Sequence, residues 1–253
     1  MSNKHIFALF FKDLSSKINS SKKIVLQNKE LLQRITKILR LRTDENFILF
    51  DNKSNGLFSL SAETFASKDT TYAEIISINE NKKLKTNIVL ALPILKKEDF
   101  ETSVCNVSAI GANIIQPIIS QKVQRKWYGD KELERLQKIS VAACEQSKNF
   151  AIPQILNPTS FENFVAKIKT EYTNHKKIIF EDSTNPLLDL LSDLNSKKHS
   201  NILVTVGPEG GYNEEELKTF RDLNFDFITL TPTILKAVEA VTIGIGAIKS
   251  VVE

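Results

Sequence analysis

The chain has 253 residues, 42% of them hydrophobic, enough to bury one large core or two smaller ones. Thirty-four basic residues against thirty acidic ones leave a net charge of +4, a balance that permits an anionic partner without requiring one. Two cysteines, Cys105 and Cys144, stand far apart without neighbouring histidines, which argues against a disulfide framework or a zinc site and for two small buried hydrophobes.

The chain opens on "MSNKHIFALFFKDLSSK", whose apolar run Ile6 to Phe11 meets Lys12 and Asp13 at once. That run is too short for a signal-peptide core or a membrane span, so a soluble cytoplasmic protein is expected. Next, "NKELLQRITKILRLRTDE" sets Leu31, Leu32, Ile35, Ile38, Leu39 and Leu41 near helical spacing. "NFILFDNKSNGLFSLSAE" predicts two strands around a turn at Asn55-Gly56, a pair that tolerates positive φ, and "TYAEIISINE" predicts another strand. A small mixed barrel or sheet over residues 1–75 fits these pieces.

From about residue 86 strands alternate with helices. "NIVLALPI" leads to a helix from Lys97 to about Ile110, then "NIIQPII" and a helix around Glu132 to Ser147. "IPQIL", a helix from Ser160, "KKIIFED" and a short helix from Asn185 follow. "NILVTVGP", a helix from Asn213, "FDFITLT" and a closing helix from about Thr233 complete the chain. This alternation predicts an α/β unit over residues 76–253 with a mostly parallel sheet, and apolar runs such as "ILVTV" predict strands buried on both faces.

"VTVGPEGGYNEEEL" places three of the eight glycines within five residues, between a buried strand and an acidic helix start. Ligands of open α/β sheets bind where loops leave the carboxyl ends of strands. Pro208 stiffens this loop, and Gly207, Gly210 and Gly211 leave main-chain groups accessible. Asn213 and Glu216 have the spacing of a capping box, with Glu214 and Glu215 suited to a helix amino terminus. The pattern matches neither phosphate-binding glycine motif, and Glu209 with three acids behind it opposes an anion, so the ligand is expected to be neutral or cationic. His5, His175 and His199 are isolated in sequence and are expected to be surface groups.

"GPEGGYNEEEL" followed by "FITLTPTIL", with "RLQKISVAACEQS" upstream and "ILRL" and "LFD" near the start, resembles the SPOUT methyltransferases, specifically the RsmE-type 16S ribosomal RNA uridine N3-methyltransferases. The resemblance runs through essentially the whole chain in order. It implies a PUA-like, RNA-binding β-barrel domain over residues 1–75 and a SPOUT domain over residues 76–253 with a carboxyl-terminal trefoil knot. It further implies a homodimer and a substrate in ribosomal RNA of the small subunit. S-adenosylmethionine would lie among three loops: the end of "IIFED", a second loop (Val206, Gly207, Pro208, Glu209, Gly210, Gly211) and a third (Leu230, Thr231, Pro232, Ile234, Leu235). A side chain at Gly210 is expected to enter that pocket. No metal is implied.

Against the family pattern L-R-T-E-T-A, this chain has Leu235, Lys236, Ala237, Val238, Glu239 and Ala240. Lys236 and Glu239 become the catalytic candidates, although Lys236 lacks an arginine's fork and Glu239 is shifted by one position, about 100° around a helix. Asp99, Asn106 and Ala109 replace two lysines and a glutamate of the family's K-x6-K-x2-E-L-G helix. Lys148 to Ala151 replace a G-R-x-R, and Ser120, Gln121 and Lys122 replace an S-E-R. These changes leave open a fold-retaining RNA-binding or ribosome assembly protein without catalysis, or a methyltransferase with another RNA target. Candidate RNA contacts remain at Lys122, Arg125 and Lys126, beside Trp127 and Tyr128, and at Arg34 and Arg40.

Overall fold

A computed structural model describes residues 6–18, 22–43, 45–82, 84–197 and 199–253, and His5 lies outside them. The chain divides into two compact units, Met1–Lys82 and Lys83–Glu253. The first holds β1 (Ala8–Phe10), α1 (Leu14–Lys17), β2 (Lys23–Gln27), α2 (Lys29–Gln33), a π-helical turn (Arg34–Ile38), β3 (Asn46–Phe50), β4 (Ser54–Leu60), α3 (Glu63–Ala66) and β5 (Thr70–Glu80). The boundary expected at residues 75/76 falls within β5.

These strands form one sheet in the order β1-β3-β4-β5-β2, parallel only between β1 and β3. Alternation along β2 turns Ile24 and Leu26 onto a core with Leu9, Leu14, Ile35 and Phe47. The hairpin turn lies earlier than Asn55-Gly56. Asp51 makes it, its Oδ1 accepting the amides of Lys53 and Ser54 at 2.8 Å each, a side-chain substitute for a backbone turn. Gly56 instead sits inside β4, where an added Cβ would come within 2.4 Å of Ile78 Cδ1 and 2.7 Å of Ser77 O. Close strand approach explains that glycine. The expected helix around Ile38 also changes character: Leu39 N donates to Arg34 O at 2.8 Å, the wider π pattern, and Ile38 is turned outward to 71% exposure.

The second unit holds β6 (Asn87–Pro93), α4 (Lys97–Ile110), β7 (Ile114–Ile119), α5 (Asp130–Ser147), β8 (Gln154–Ile155), β9 (Thr159–Ser160) and α6 (Phe161–Thr170). It continues with β10 (Lys176–Phe180), α7 (Leu187–Ser196), β11 (Asn201–Val206), α8 (Glu214–Asp222), β12 (Asp226–Ile228) and α9 (Ala237–Val252). The sheet order is β12-β10-β11-β6-β7-β8, with β9 beside β7, and the strand pairs are parallel.

One face of this sheet packs Phe100, Val104, Leu136, Leu190, Val241 and Ile245 from α4, α5, α7 and α9. The other packs Phe164, Ile168, Tyr212, Phe220 and Phe225, with α6 and α8. Helices on both faces bury the strands twice, which is why β6 and β11 read as unbroken apolar runs. The closing helix begins at Ala237, four residues later than the sequence suggests, because residues 229–236 are drawn into a loop. Gly244 of α9 lies against Phe180 of β10, where a Cβ would come within 2.2 Å of the ring.

Candidate active site

The loops leaving β6, β10, β11 and β12 open onto one cavity of about 590 Å³. The size suits a ligand larger than a metabolite fragment. Leu95, Lys96 and Asp99 come from the corner between β6 and α4, and Phe180 to Asp182 from the end of β10. Val206 to Glu209 and Gly211 follow β11, while Ile228 to Val238 and Ala240 follow β12. The structure therefore brings Val206, Gly207, Pro208, Glu209, Gly211, Leu230, Thr231, Pro232, Ile234, Leu235 and Lys236 together around one space.

Gly210 is outside that lining. A Cβ there would touch Lys122 Cδ and Cβ at 3.4 and 3.5 Å, ordinary contact distances, so the expectation that it enters the pocket is corrected. The tight position is Gly207, where a Cβ would lie 3.0 Å from Gly211 Cα and 3.2 Å from Tyr212 N. Gly211 has φ +68°, a conformation that favours glycine, and its amide donates to Pro208 O at 2.8 Å.

The predicted capping box is present. Asn213 Oδ1 accepts Glu216 N at 2.7 Å, and Glu216 Oε2 accepts Asn213 N at 3.0 Å. Tyr212 anchors the loop beneath the cavity, its hydroxyl 2.7 Å from Thr205 Oγ1, and burial pushes its phenol far up. Glu209 Oε1 accepts the Lys96 amide at 2.6 Å and so joins the glycine loop to the amino terminus of α4. Across the cavity, Thr229 Oγ1 accepts Ser183 N at 2.7 Å and donates to Ser183 O at 2.8 Å, tying the loop after β10 to the loop after β12.

The catalytic candidates separate. Lys236 lines the cavity with an exposed side chain, whereas Glu239 does not: its carboxylate accepts the Lys236 amide at 2.9 Å and caps α9. Asn106, which stands where the family pattern has a charged residue, donates to Thr242 Oγ1 at 3.0 Å and ties α4 to α9.

Among the RNA candidates, Lys126 is exposed, but Arg125 is largely enclosed. Its Nε donates to Leu95 O at 2.6 Å, its Nη2 pairs with Glu132 Oε1 at 2.5 Å, and its guanidinium lies 5.5 Å over Phe100. Lys122 Nζ donates to Gly210 O at 3.0 Å and Tyr212 O at 3.3 Å. Trp127 packs edge-on to Phe100, while Tyr128 is 74% exposed. Arg34, half-buried, and Arg40, exposed with φ 52°, belong to the first unit.

The histidine expectation is corrected in part: His175 and His199 are half-buried. His175 stands edge-on to Tyr172, and burial lowers its basicity. Cys144 is buried, its thiol pushed up to about 12 mainly by that burial, whereas Cys105 is only half-buried. No helix among the described residues is long and apolar enough to cross a membrane.

A glycine-lined cavity at the carboxyl ends of parallel strands marks an α/β protein with a small-molecule site beside its sheet. The chain belongs to the RNA methyltransferase domain family, whose model matches residues 82–249. Its similarity within that family is to ribosomal RNA small subunit methyltransferase E. The enzyme of that name from Mesomycoplasma hyopneumoniae is 34% identical over 169 residues, 65% of this chain and 70% of the relative. The one from Synechocystis is 27% identical over 222 residues, 88% of this chain and 71% of the relative. Among solved structures, the ribosomal RNA small subunit methyltransferase E of Neisseria gonorrhoeae bound to S-adenosyl methionine superposes with a TM-score of 0.79 at 24% identity, covering 97% of this chain and 98% of that one.

Lys96 has no local sequence signal as a cavity residue, whereas Asp99 and Val238 stand at positions marked by the family resemblance but not assigned there to the cavity. Lys96 takes part through its backbone, and Asp99 and Val238 enter through the packing of α4 and α9.

Proposed function

We propose that this chain transfers the methyl group of S-adenosylmethionine to N3 of a uridine in small-subunit ribosomal RNA. The observation that carries the reading is the single cavity on which the three loops of the resemblance converge, at the carboxyl ends of β10, β11 and β12. Its fit to the cofactor rests on a glycine loop folded so closely that a Cβ at Gly207 would press on Gly211 and Tyr212, on backbone groups of residues 206–209, 211 and 229–235, and on apolar walls at Leu95, Val206, Ile228 and Leu235. When bound, S-adenosylmethionine supplies an electrophilic methyl on a sulfonium. Glu209 and Asp182 at the rim suit its positive charge.

Methylation at N3 replaces the imide proton by the methyl, so a base must be drawn out of its stack and held as its anion. Lys236, at the positive end of α9, is placed to stabilise that anion. Asp99 of α4, which also lines the cavity, is the carboxylate we propose to receive the proton. Lys126 and Tyr128 offer a charge and a ring for the flanking RNA.

The same reading makes the first unit a PUA-like RNA-binding domain, supported by its mixed five-stranded sheet and by Arg34 and Arg40 in and just after the π-helical turn of the same unit. A trefoil knot is supported by the course of the chain after β12, through a loop tied to residues 183–187 and into α9 against β10. A homodimer is supported by exposed Ile243 on the apolar α9 and by Ile234, 99% exposed at the cavity lip.

A second reading, a cofactor-binding RNA protein that does not transfer methyl groups, is favoured by Glu239 and Asn106, whose polar groups are spent on helix contacts. The test is the methylation state of the target uridine in ribosomes from a deletion strain. Loss of the N3 methyl, restored by the wild-type chain but not by Lys236→Ala, is expected. An unchanged methyl overturns the assignment.

A further inference from the structure

In the basic segment between β7 and α5, two of the cations are bound to main-chain carbonyls of the protein itself. Gln121 N donates to Glu216 Oε1 at 2.9 Å, and Asn213 Nδ2 donates to Gln121 Oε1, so the segment is fastened to the start of α8. Next to it, Lys122 Nζ bridges Gly210 O and Tyr212 O. Three residues on, Arg125 donates to Leu95 O while paired with Glu132, whose other oxygen accepts Tyr128 N at 2.9 Å. One end of the segment thus grips the glycine loop and the other grips the β6–α4 corner, two walls that Glu209 already links through the Lys96 amide.

The peptide between Gly210 and Gly211 explains what such a grip does. A peptide group is planar, so fixing its oxygen and its N–H fixes the whole plane. Lys122 holds the oxygen, and Pro208 O holds the N–H. Without Lys122, two adjacent glycines regain the freedom that makes glycine costly to order, and ligand binding must supply the ordering.

We propose that Lys122 and Arg125 are positioning residues of the cofactor cavity, a strap that pre-organises the glycine loop and the Leu95 corner, rather than contacts for RNA phosphates. This rests on the cofactor reading above for its effect on binding, but not for its effect on the loop.

The experiment compares wild type, Lys122→Met, Lys122→Arg and Lys126→Ala, all surface changes checked for an unaltered melting temperature. Hydrogen exchange of the Gly211 and Tyr212 amides is followed in cofactor-free protein, S-adenosylmethionine affinity by calorimetry, and RNA affinity by filter binding at several salt concentrations. Lys122→Met is expected to speed exchange and weaken cofactor binding about tenfold, with RNA affinity held within about twofold. Lys122→Arg, which retains donors for both carbonyls, restores both. Lys126→Ala weakens RNA and lowers the salt slope while leaving cofactor affinity in place. Unchanged exchange in Lys122→Met, or a loss confined to RNA binding, overturns the strap. If wild type binds no S-adenosylmethionine, the proposed function falls, and the exchange rates alone decide whether Lys122 orders the loop.

Discussion

The cavity has two walls of different kinds. Residues 206–209, 211 and 229–235 present mainly backbone and apolar groups on loops cross-tied by Gly211, Ser183 and Thr229, whereas α4 and the start of α9 present side chains, among them Asp99, Lys236 and Val238. In the family resemblance, the first wall matches the expected pattern and the second holds the residues that differ from it. Backbone recognition is defined by where side chains are absent, so it survives many substitutions. Chemistry on a base depends on particular charged groups and changes with each one.

The largest expected effect breaks the first wall from behind. Gly244→Val forces a side chain into the Phe180 ring, which itself lines the cavity, and should cost about 3 kcal/mol by overpacking, read from urea denaturation. Stability equal to wild type would mean that α9 does not pack there. Next, Lys236→Ala separates the walls: turnover should fall about a hundredfold while S-adenosylmethionine affinity stays within about twofold, since only the charge near the base is lost. A parallel loss of cofactor affinity would show that Lys236 belongs to the first wall.

A smaller effect contrasts the cavity with the first unit. Burial alone would push the Asp51 carboxyl up, but hydrogen bonds from the Ser15 amide and hydroxyl and from the Ser54 and Lys53 amides outweigh it and hold it below its ordinary range. Its contribution is therefore present above the unfolded value of about 3.9 and is lost as pH falls through the lowered folded value. Asp51→Asn should destabilise by about 1–2 kcal/mol at pH 7, and the difference should shrink as pH falls through the lowered folded value, with cofactor affinity unaffected. A penalty independent of pH would assign Asp51 a purely steric role. Smallest of all, Gly210→Ala should change cofactor affinity by less than about twofold, because its Cβ meets Lys122 at ordinary contact distance. A severe loss would return Gly210 to the cavity lining.

Much of the site was legible because glycine, proline and capping residues act locally. The Gly207–Gly211 cluster, the Asn213–Glu216 box and the buried runs of β6 and β11 each announce their geometry within a few residues. What was not legible depends on partners distant in sequence. Gly56 reads as a turn until Ile78 and Ser77 crowd it, and Arg125 reads as a surface cation until Leu95 O and Glu132 receive it. The helical spacing around Ile35 gives no warning of the π turn that rotates Ile38 outward. Glu239 looks like a displaced catalytic acid, yet three-residue spacing from Lys236 makes it a helix cap.

The central claim, that residues 206–209, 211 and 229–235 enclose S-adenosylmethionine, is tested most directly by calorimetric titration of the cofactor into wild type and Gly207→Val. Saturable binding by wild type, lost in a variant that remains folded, is the predicted result, because the new side chain collides with Gly211 and Tyr212. Equal binding by both proteins, or none by wild type, would contradict it.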